Sequence, residues 1–394
     1  MTPAARVQAA IELLDQVVAA ARDNGPPADR VIADGLRLRR YAGSKDRRAI
    51  RELAYAAIRA CGPLPASGRA AMLRLAGADG GGIEALFDGS PYGPAPVGPD
   101  DIVADGGVAP EWLVQRLARS EIDGAEALAL LTRAPLDLRV NTLKAVREGL
   151  ELPLEGEPLP APDGLRFPGG TPVEQWHAYR AGLVEIQDCG SQLACEAVGA
   201  QLGETVIDLC AGGGGKTLAL AAAMGNRGRL IATDTDRGRL SQLGPRSERA
   251  GATLIESRLL NPGQESAALA DLAGQADAVL VDAPCSGTGT WRRNPENRWR
   301  LTERRLNETI ALQDRLLDLA STLVRPGGRL VFVTCSLLDE EGAERFTGFL
   351  QNHPDWRAVW PELPIGEPRG EGLRLMPGTH GTDGFFIARA ELAC

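Results

Sequence analysis

The chain has 394 residues, 44% of them hydrophobic and 24% charged, and carries a formal net charge of −9 at pH 7. That length allows two or three domains with proper cores, and the composition is that of an ordinary globular protein, not a disordered or fibrous one. No apolar run approaches the roughly 18 residues of a membrane span. The alanine-rich amino-terminal segment is broken by Glu12 and Asp15 and lacks the apolar core of a signal peptide, so a cytoplasmic protein without a membrane partner is expected.

Residues 4–22 and 44–61 have helical periodicity, with Val7, Ile11, Leu14 and Val18 on one stripe and Ile50, Leu53, Ala57 and Ile58 on another. The Gly25-Pro26-Pro27 break and a polar segment lie between them, and residues 62–110, rich in glycine and proline, read as connecting structure. A helix is expected from Pro110 toward Leu131. Leu136–Asn141 then alternates apolar and polar as a half-covered strand does. With the short pieces Gly164–Phe167 and Gly182–Gln187, residues 131–185 form a small α+β insert. Its polar strand residues Arg139 and Asn141 face either RNA or solvent.

From Gln187 strands alternate with helices over about 200 residues: strands Thr205–Cys210, Arg229–Asp234, 253–256, Ala278–Asp282 and 329–335, and helices near 191–200, 217–224, 236–250 and 303–324. That alternation predicts an α/β fold with a doubly wound, Rossmann-like parallel sheet over 186–394. Ligands of such sheets bind at the carboxyl ends of the strands, which places the glycine loop, Asp234, Asp282 and Cys335 on one edge.

The loop Asp208–Thr217 carries four consecutive glycines between a strand and a helix. A phosphate-gripping loop would need glycine at 210, where the chain has Cys210, so a nucleotide triphosphatase is disfavoured. The other reading is a loop under S-adenosylmethionine, with Asp234, at the end of the next strand, on the ribose hydroxyls. Asp234 would otherwise simply cap the helix that follows.

Seven cysteines form no CxxC pair and only three histidines exist, far apart, which argues against disulfides and against a metal site. Two of the cysteines end strands: Asp282-Ala-Pro-Cys285 and Thr334-Cys335-Ser336. Beside S-adenosylmethionine this pair suits methylation of pyrimidine carbon 5. A thiolate adding at carbon 6 makes carbon 5 nucleophilic, an acid near N3 offsets developing charge, and a second thiol assists release. Ser336-Leu-Leu-Asp339 resembles a capping box, which would put Cys335 near a helix N-terminus and lower its pKa. Spacing leaves open which cysteine attacks.

The chain resembles the RsmB/Sun family of RNA cytosine-5 methyltransferases. The resemblance rests on Leu138–Lys144, Gln187–Gln192, Asp208–Thr217, Asp282–Gly289 with Arg292-Arg293-Asn294-Pro295, Thr334-Cys335-Ser336 and Asp383–Phe386. It implies that Cys335 is the nucleophile, that Cys285 helps release product and that Asp282 holds the cytosine edge. It also implies a cofactor pocket lined by Asp208, Cys210, Ala211, Gly212, Gly213, Gly214, Gly215, Lys216, Asp234, Arg239, Asp282 and Pro284. Residues 1–130, with Asp46-Arg47-Arg48 and Arg51-Glu52-Leu53, are similar to the NusB-like helical RNA-binding domain of the bacterial rRNA branch. Small-subunit (16S) rRNA is the implied substrate, with tRNA, or a non-catalytic assembly factor of the same fold, as the alternatives. No metal is implied, and a monomer is expected.

Two departures stand out. Gly212-Gly213 replace the family's usual Ala-Pro, and Ile255-Glu256-Ser257-Arg258 lacks the usual Gly-Asp, so the acid for the adenine amine is missing or moved to Glu256. The net charge opposes RNA binding, but 40 of the 43 basic residues are arginine and they cluster. Trp291, Arg292, Arg293, Arg298 and Trp299 either stack on an unstacked base or pack into the core. With Arg139, Asn141 and Lys144 they are the expected RNA contacts.

Overall fold

Alanine, leucine and valine recur at helical spacing through the first 80 residues, and the computed structural model, which describes residues 1–394, forms helices there. These are α1 (Pro3–Arg22), α2 (Ala28–Leu38), α3 (Ser44–Ala60) and α4 (Gly68–Ala78), followed by α5 (Glu111–Arg119) and α6 (Gly124–Ala129). Thr2 caps α1 by accepting the Ala5 N–H at 3.2 Å, and Ser67 caps α4 at 3.1 Å from Ala70. Val7, Ile11 and Leu14 pack with Ile50, Ile58 and Met72 in one core. Helices α1 and α4 approach so closely at Gly68 that a Cβ there would meet the Ile11 carbonyl oxygen at 2.3 Å.

Helix α2 lies in a segment expected to be a polar linker, and α4 in a stretch expected to be connecting structure with short helices at best. The buried face of α2 is Ala28, Ile32, Gly35 and Leu36, set among charged residues just after the Gly25-Pro26-Pro27 break that reads as a linker. The single helix expected over 110–131 is two, broken where Glu121 takes φ +61°.

Residues 1–132 and 290–302 form one structural unit, and 133–289 with 303–394 form the other. The second unit begins with a small antiparallel sheet of order β2-β3-β1-β4, made of β1 (Leu136–Val140), β2 (Glu157–Pro158), β3 (Gly164–Phe167) and β4 (Val184–Ile186). Helix α7 (His177–Arg180) precedes β4, and α8 (Cys189–Val198) follows it. Asp137 ties β1 to the start of α8, accepting two bonds from Arg166 at 2.8 Å and one from the Cys189 N–H at 3.1 Å.

The main sheet follows: β5 (Thr205–Asp208), α9 (Gly215–Ala223), β6 (Arg229–Asp234), α10 (Arg237–Leu240), α11 (Leu243–Ala250), β7 (Ile255–Leu259), α12 (Glu265–Ala268) and β8 (Ala276–Asp282). After α13 (Asn297–Arg300), in the helical unit, come α14 (Glu303–Leu323), β9 (Val324–Thr334), α15 (Ala343–Asn352), β10 (Trp356–Ala358), β11 (Glu367–Arg369), β12 (Gly372–Leu375), α16 (Pro377–His380) and β13 (Phe385–Leu392). The order is β11-β12-β13-β9-β8-β5-β6-β7 with β10 beside β13; β9-β8-β5-β6-β7 are parallel and β13 runs antiparallel to β9. Strand β8 and the Leu330–Thr334 half of β9 are buried on both faces, as near-continuous apolar runs require. The five parallel strands therefore deliver Asp208, Asp234, Asp282 and Cys335 to one edge.

Candidate active site

Strands β8 and β9 pair in parallel with Asp282 opposite Val333, so the loops that follow leave the sheet side by side. Those loops bring the Cys285 and Cys335 sulfurs to 3.4 Å. The Gly289 N–H donates to the Cys335 carbonyl at 3.0 Å. Several polar groups around the β8 loop have defined partners. Gln313 of α14 donates to the Pro284 carbonyl at 2.8 Å. Glu341, fully buried, accepts the Ser286 N–H at 2.8 Å, the Ser286 hydroxyl, and Gln313 at 3.3 Å. Thr288 accepts the Leu337 N–H at 2.8 Å. A Cβ at Gly289 would lie 2.2 Å from the Gly384 oxygen, so only glycine fits where these segments cross.

The bond to Cys335 raises the Cys285 pKa well above the ordinary thiol value, and burial and the Glu341 charge push the same way. Glu341 is itself raised by burial. Sequence reasoning missed Glu341 and Gln313; Glu341 reads as one of three consecutive acids, and nothing local marks it as buried. The expected capping box is also corrected. Ser336 accepts the Leu338 N–H at 3.1 Å, Asp339 pairs with Arg369, a single 3-10 turn spans Asp339–Glu341 and the α-helix begins only at Ala343, so Ser336 caps no α-helix and Cys335 does not sit at the N-terminus of one.

A cleft of about 480 Å³ opens along the strand ends. Both cysteines, Cys210, Asp234, Arg239, Asp282 and Pro284 line it. The remaining loop residues stand behind its wall. The Gly212 N–H donates to Asp234 at 2.7 Å, Lys216 pairs with Asp282 at 2.7 Å, and Thr217 donates to Asp208 at 2.6 Å. Ala211 is pinned by its N–H to the Thr233 carbonyl at 2.8 Å. Gly212 and Gly214 take φ +55° and +83°, and a Cβ on either would strike Arg239 or Leu243 at 2.3 or 2.2 Å. Gly213 and Gly215 are looser.

Asp208 is fully buried, with Oδ1 unpaired, and burial pushes its pKa up to about 7. Burial alone would lower Lys216, but Asp282 and the nearby thiols outweigh it and hold the ammonium charged. Glu256 is not a cleft residue: it takes two bonds from Arg229, at 2.7 and 2.9 Å, on an exposed face. Of the two readings left open, the acid is therefore missing at this place rather than moved to Glu256. Instead Leu260, Pro262 and Glu265 follow β7 into the cleft.

Residues 197–391 match the family described as 16S rRNA methyltransferase RsmB/F. A probable ribosomal RNA small subunit methyltransferase B from Synechocystis is 34% identical over 302 residues, covering 72% of this chain and 67% of that protein. Ribosomal RNA small subunit methyltransferase B from Citrobacter koseri is 34% identical over 71% of this chain and 65% of its own length. The chain belongs to the RsmB/F methyltransferase family. It thus spans about two thirds of the curated relatives it matches. The crystal structure of PH0851 superposes with a TM-score of 0.75 at 25% identity, covering 99% of both chains. The cofactor of this methyltransferase fold is S-adenosylmethionine. The cleft fits it: a carboxylate at the β6 end, apolar walls from Leu209, Leu260 and Leu316, and both thiols at the other end.

The expected RNA contacts of this family member divide sharply. Arg139 is buried and donates to Gln187 at 2.7 Å; Asn141 is buried and donates to the Gly182 and Ala250 carbonyls at 2.8 Å. Trp291, Arg292 and Arg298 are buried too, so these five lie inside the protein and are not RNA-facing. Arg298 donates to Pro295 O and, at 2.6 Å, to Ile58 O and Cys61 O, at the C-terminus of α3. Arg300 bonds the Ala20, Gly25 and Pro26 carbonyls around the end of α1. Glu296 accepts the Ala28 N–H at the start of α2. Each sign matches the helix end it meets. Trp299 packs in the helical core and donates to Gly62 O at 3.1 Å. Lys144 is exposed but donates to the Ala181 and Arg249 carbonyls, and Arg293 is half-buried.

Proposed function

We propose that this protein methylates carbon 5 of a cytosine in RNA, small-subunit 16S rRNA in the first instance, through a covalent Cys335–C6 adduct. The observation that carries the reading is the pair of thiols 3.4 Å apart on the ends of adjacent parallel strands, at the mouth of the cleft that suits S-adenosylmethionine. The names of its curated relatives supply the choice of RNA.

S-adenosylmethionine supplies an electrophilic methyl group. Asp234 would accept from its ribose hydroxyls, and the apolar walls would take its base. Cys335 adds through sulfur to C6, and the C5=C6 electron pair becomes available at C5. Asp282, fixed by Lys216, would hold the cytosine edge through its second oxygen. Release requires loss of the C5 proton and cleavage of the Cys335–C6 bond, and Cys285 lies beside the sulfur that must leave. The bond to Cys335 and burial raise the Cys285 pKa, so a neutral thiol stands beside the sulfur that must leave. Exposed Arg40, Lys45, Arg48 and Arg51 of the helical unit supply phosphate contacts in place of the buried set.

The test is transfer of labelled methyl groups to 16S rRNA and to tRNA by the wild type, Cys335→Ala and Cys285→Ala. Cys335→Ala should abolish transfer, and Cys285→Ala should accumulate a protein–RNA adduct that survives denaturation. An adduct with Cys335→Ala and normal turnover with Cys285→Ala reverses the roles. No labelling of any cytosine by wild type refutes the reading.

A further inference from the structure

We infer that Glu265 accepts the hydrogen bond of the adenine 6-amino group of S-adenosylmethionine, in place of the acid that is absent after β7. The inference rests on the cofactor occupying the cleft described above.

Strand order sets out the cleft. Cys335 follows β9, Asp282 and Cys285 come from β8, Leu209 and Cys210 from β5, Asp234 from β6, and Leu260, Pro262 and Glu265 follow β7. A ligand with its methyl group at the cysteines and its ribose at Asp234 carries its base one strand further on, about 4.8 Å. That step ends between Leu260, Pro262 and Leu316, where Glu265 is the available acid.

Each of the other carboxylates of the cleft already has a place on the ligand or a partner in the protein. Asp234 receives the Gly212 N–H on one oxygen and the Asp236 N–H on the other, both at 2.7 Å. Asp282 is held by Lys216 at the cysteine end. Asp236 is exposed and caps α10 through the Arg239 N–H at 3.0 Å. The Glu265 side chain is 10% exposed, so nine tenths of it is buried. Its Oε1 takes Arg315 at 3.2 Å, and its Oε2 receives no hydrogen bond from the protein. A carboxylate oxygen left without a protein donor, beside the apolar residues of the cleft, is an acceptor awaiting one, and an exocyclic amine is the donor an adenine offers. Arg315 fixes the carboxylate so that the other oxygen stays available. Ser257 and Arg258, in the run that lacks Gly-Asp, are still within β7, and Arg258 points to Asp271 at 2.7 Å.

The test uses calorimetric binding of two probes to the full chain: S-adenosylhomocysteine, and its analogue with unsubstituted purine in place of adenine. Wild type should prefer the adenine ligand by about 10- to 100-fold, the worth of a hydrogen bond to a charged acceptor. Glu265→Ala should bind both within about twofold of each other. Where Glu265→Ala does not fold, Glu265→Gln should show a reduced preference, since the charge is gone. A preference that persists undiminished in these variants overturns the assignment. Failure of wild type to bind S-adenosylhomocysteine at all overturns the cofactor reading and this assignment with it.

Discussion

Two stretches only a few residues apart in sequence, Pro284–Gly289 and Trp291–Arg300, look equally functional by composition and end in opposite situations. The first carries a thiol to the cleft, and its own backbone is satisfied by Gln313, Glu341 and the β9 loop. The sulfur is left as the group with chemistry to spare. The second spends its charged side chains on helix ends: Glu296 at the start of α2, Arg298 at the end of α3, Arg300 at the end of α1. A residue's type says what it can bind; where its donors already go says whether it still can. Arg298 illustrates the point, since burial lowers it to about 10 and it nonetheless stays charged at neutral pH among carbonyl dipoles.

The contrast can be broken by swapping assays between the two stretches. Cys335→Ala should cut methyl transfer by at least about a thousandfold and leave the midpoint of urea unfolding unchanged. Arg298→Ala should do the converse. It strands the Ile58 and Cys61 carbonyls and opens a cavity, which costs about 3–4 kcal/mol of stability in a urea titration. RNA affinity measured on the folded fraction should not change. A loss of RNA affinity without a loss of stability would return Arg298 to the RNA surface.

Glu341→Ala sits between these cases. Removing the acceptor of the Ser286 N–H should cost about 1–3 kcal/mol and also lower turnover, because the Cys285 loop loses its anchor. Glu341→Gln, which keeps one acceptor oxygen, should recover most of the stability.

The smallest effect tests a buried acid with one spare oxygen. Asp208 has a folded pKa raised to about 7 by burial, so the folded state binds a proton the unfolded chain has already lost. Its contribution is fully favourable below about pH 4, the unfolded value, and is lost as the pH rises toward 7. Asp208→Asn keeps an acceptor for Thr217 and should stabilise the protein by about 1–2 kcal/mol at pH 8. Little gain is expected at pH 4, and equal gains at both pH values would mean the acid does not titrate as its burial implies.

Much of the architecture was legible because periodicity is a local property. The runs ending in Asp208, Asp234, Asp282 and Thr334 read as strands since each is apolar and bounded by turn residues, and their carboxyl ends do share one edge. The two cysteines, the glycine loop and Asp234 were nameable for the same reason: each follows a strand. Helix α2 is passed over in the sequence because the Gly25-Pro26-Pro27 break and the charged residues after it read as a linker, although one face of it is apolar and packs against α1.

What the linear order by itself determined was the strand ends and the chemistry offered there, since those follow from short-range patterns of burial and turn formation. Tertiary structure alone decided which polar groups had already found partners. It buried Arg139, Asn141 and Arg298, turned Glu256 to Arg229, and set Glu341 under Ser286 and Glu265 beside Leu260 and Pro262. The physical reason is that hydrogen-bond satisfaction depends on contacts up to 280 residues apart along the chain, as from Arg300 to Ala20, and no local pattern encodes them.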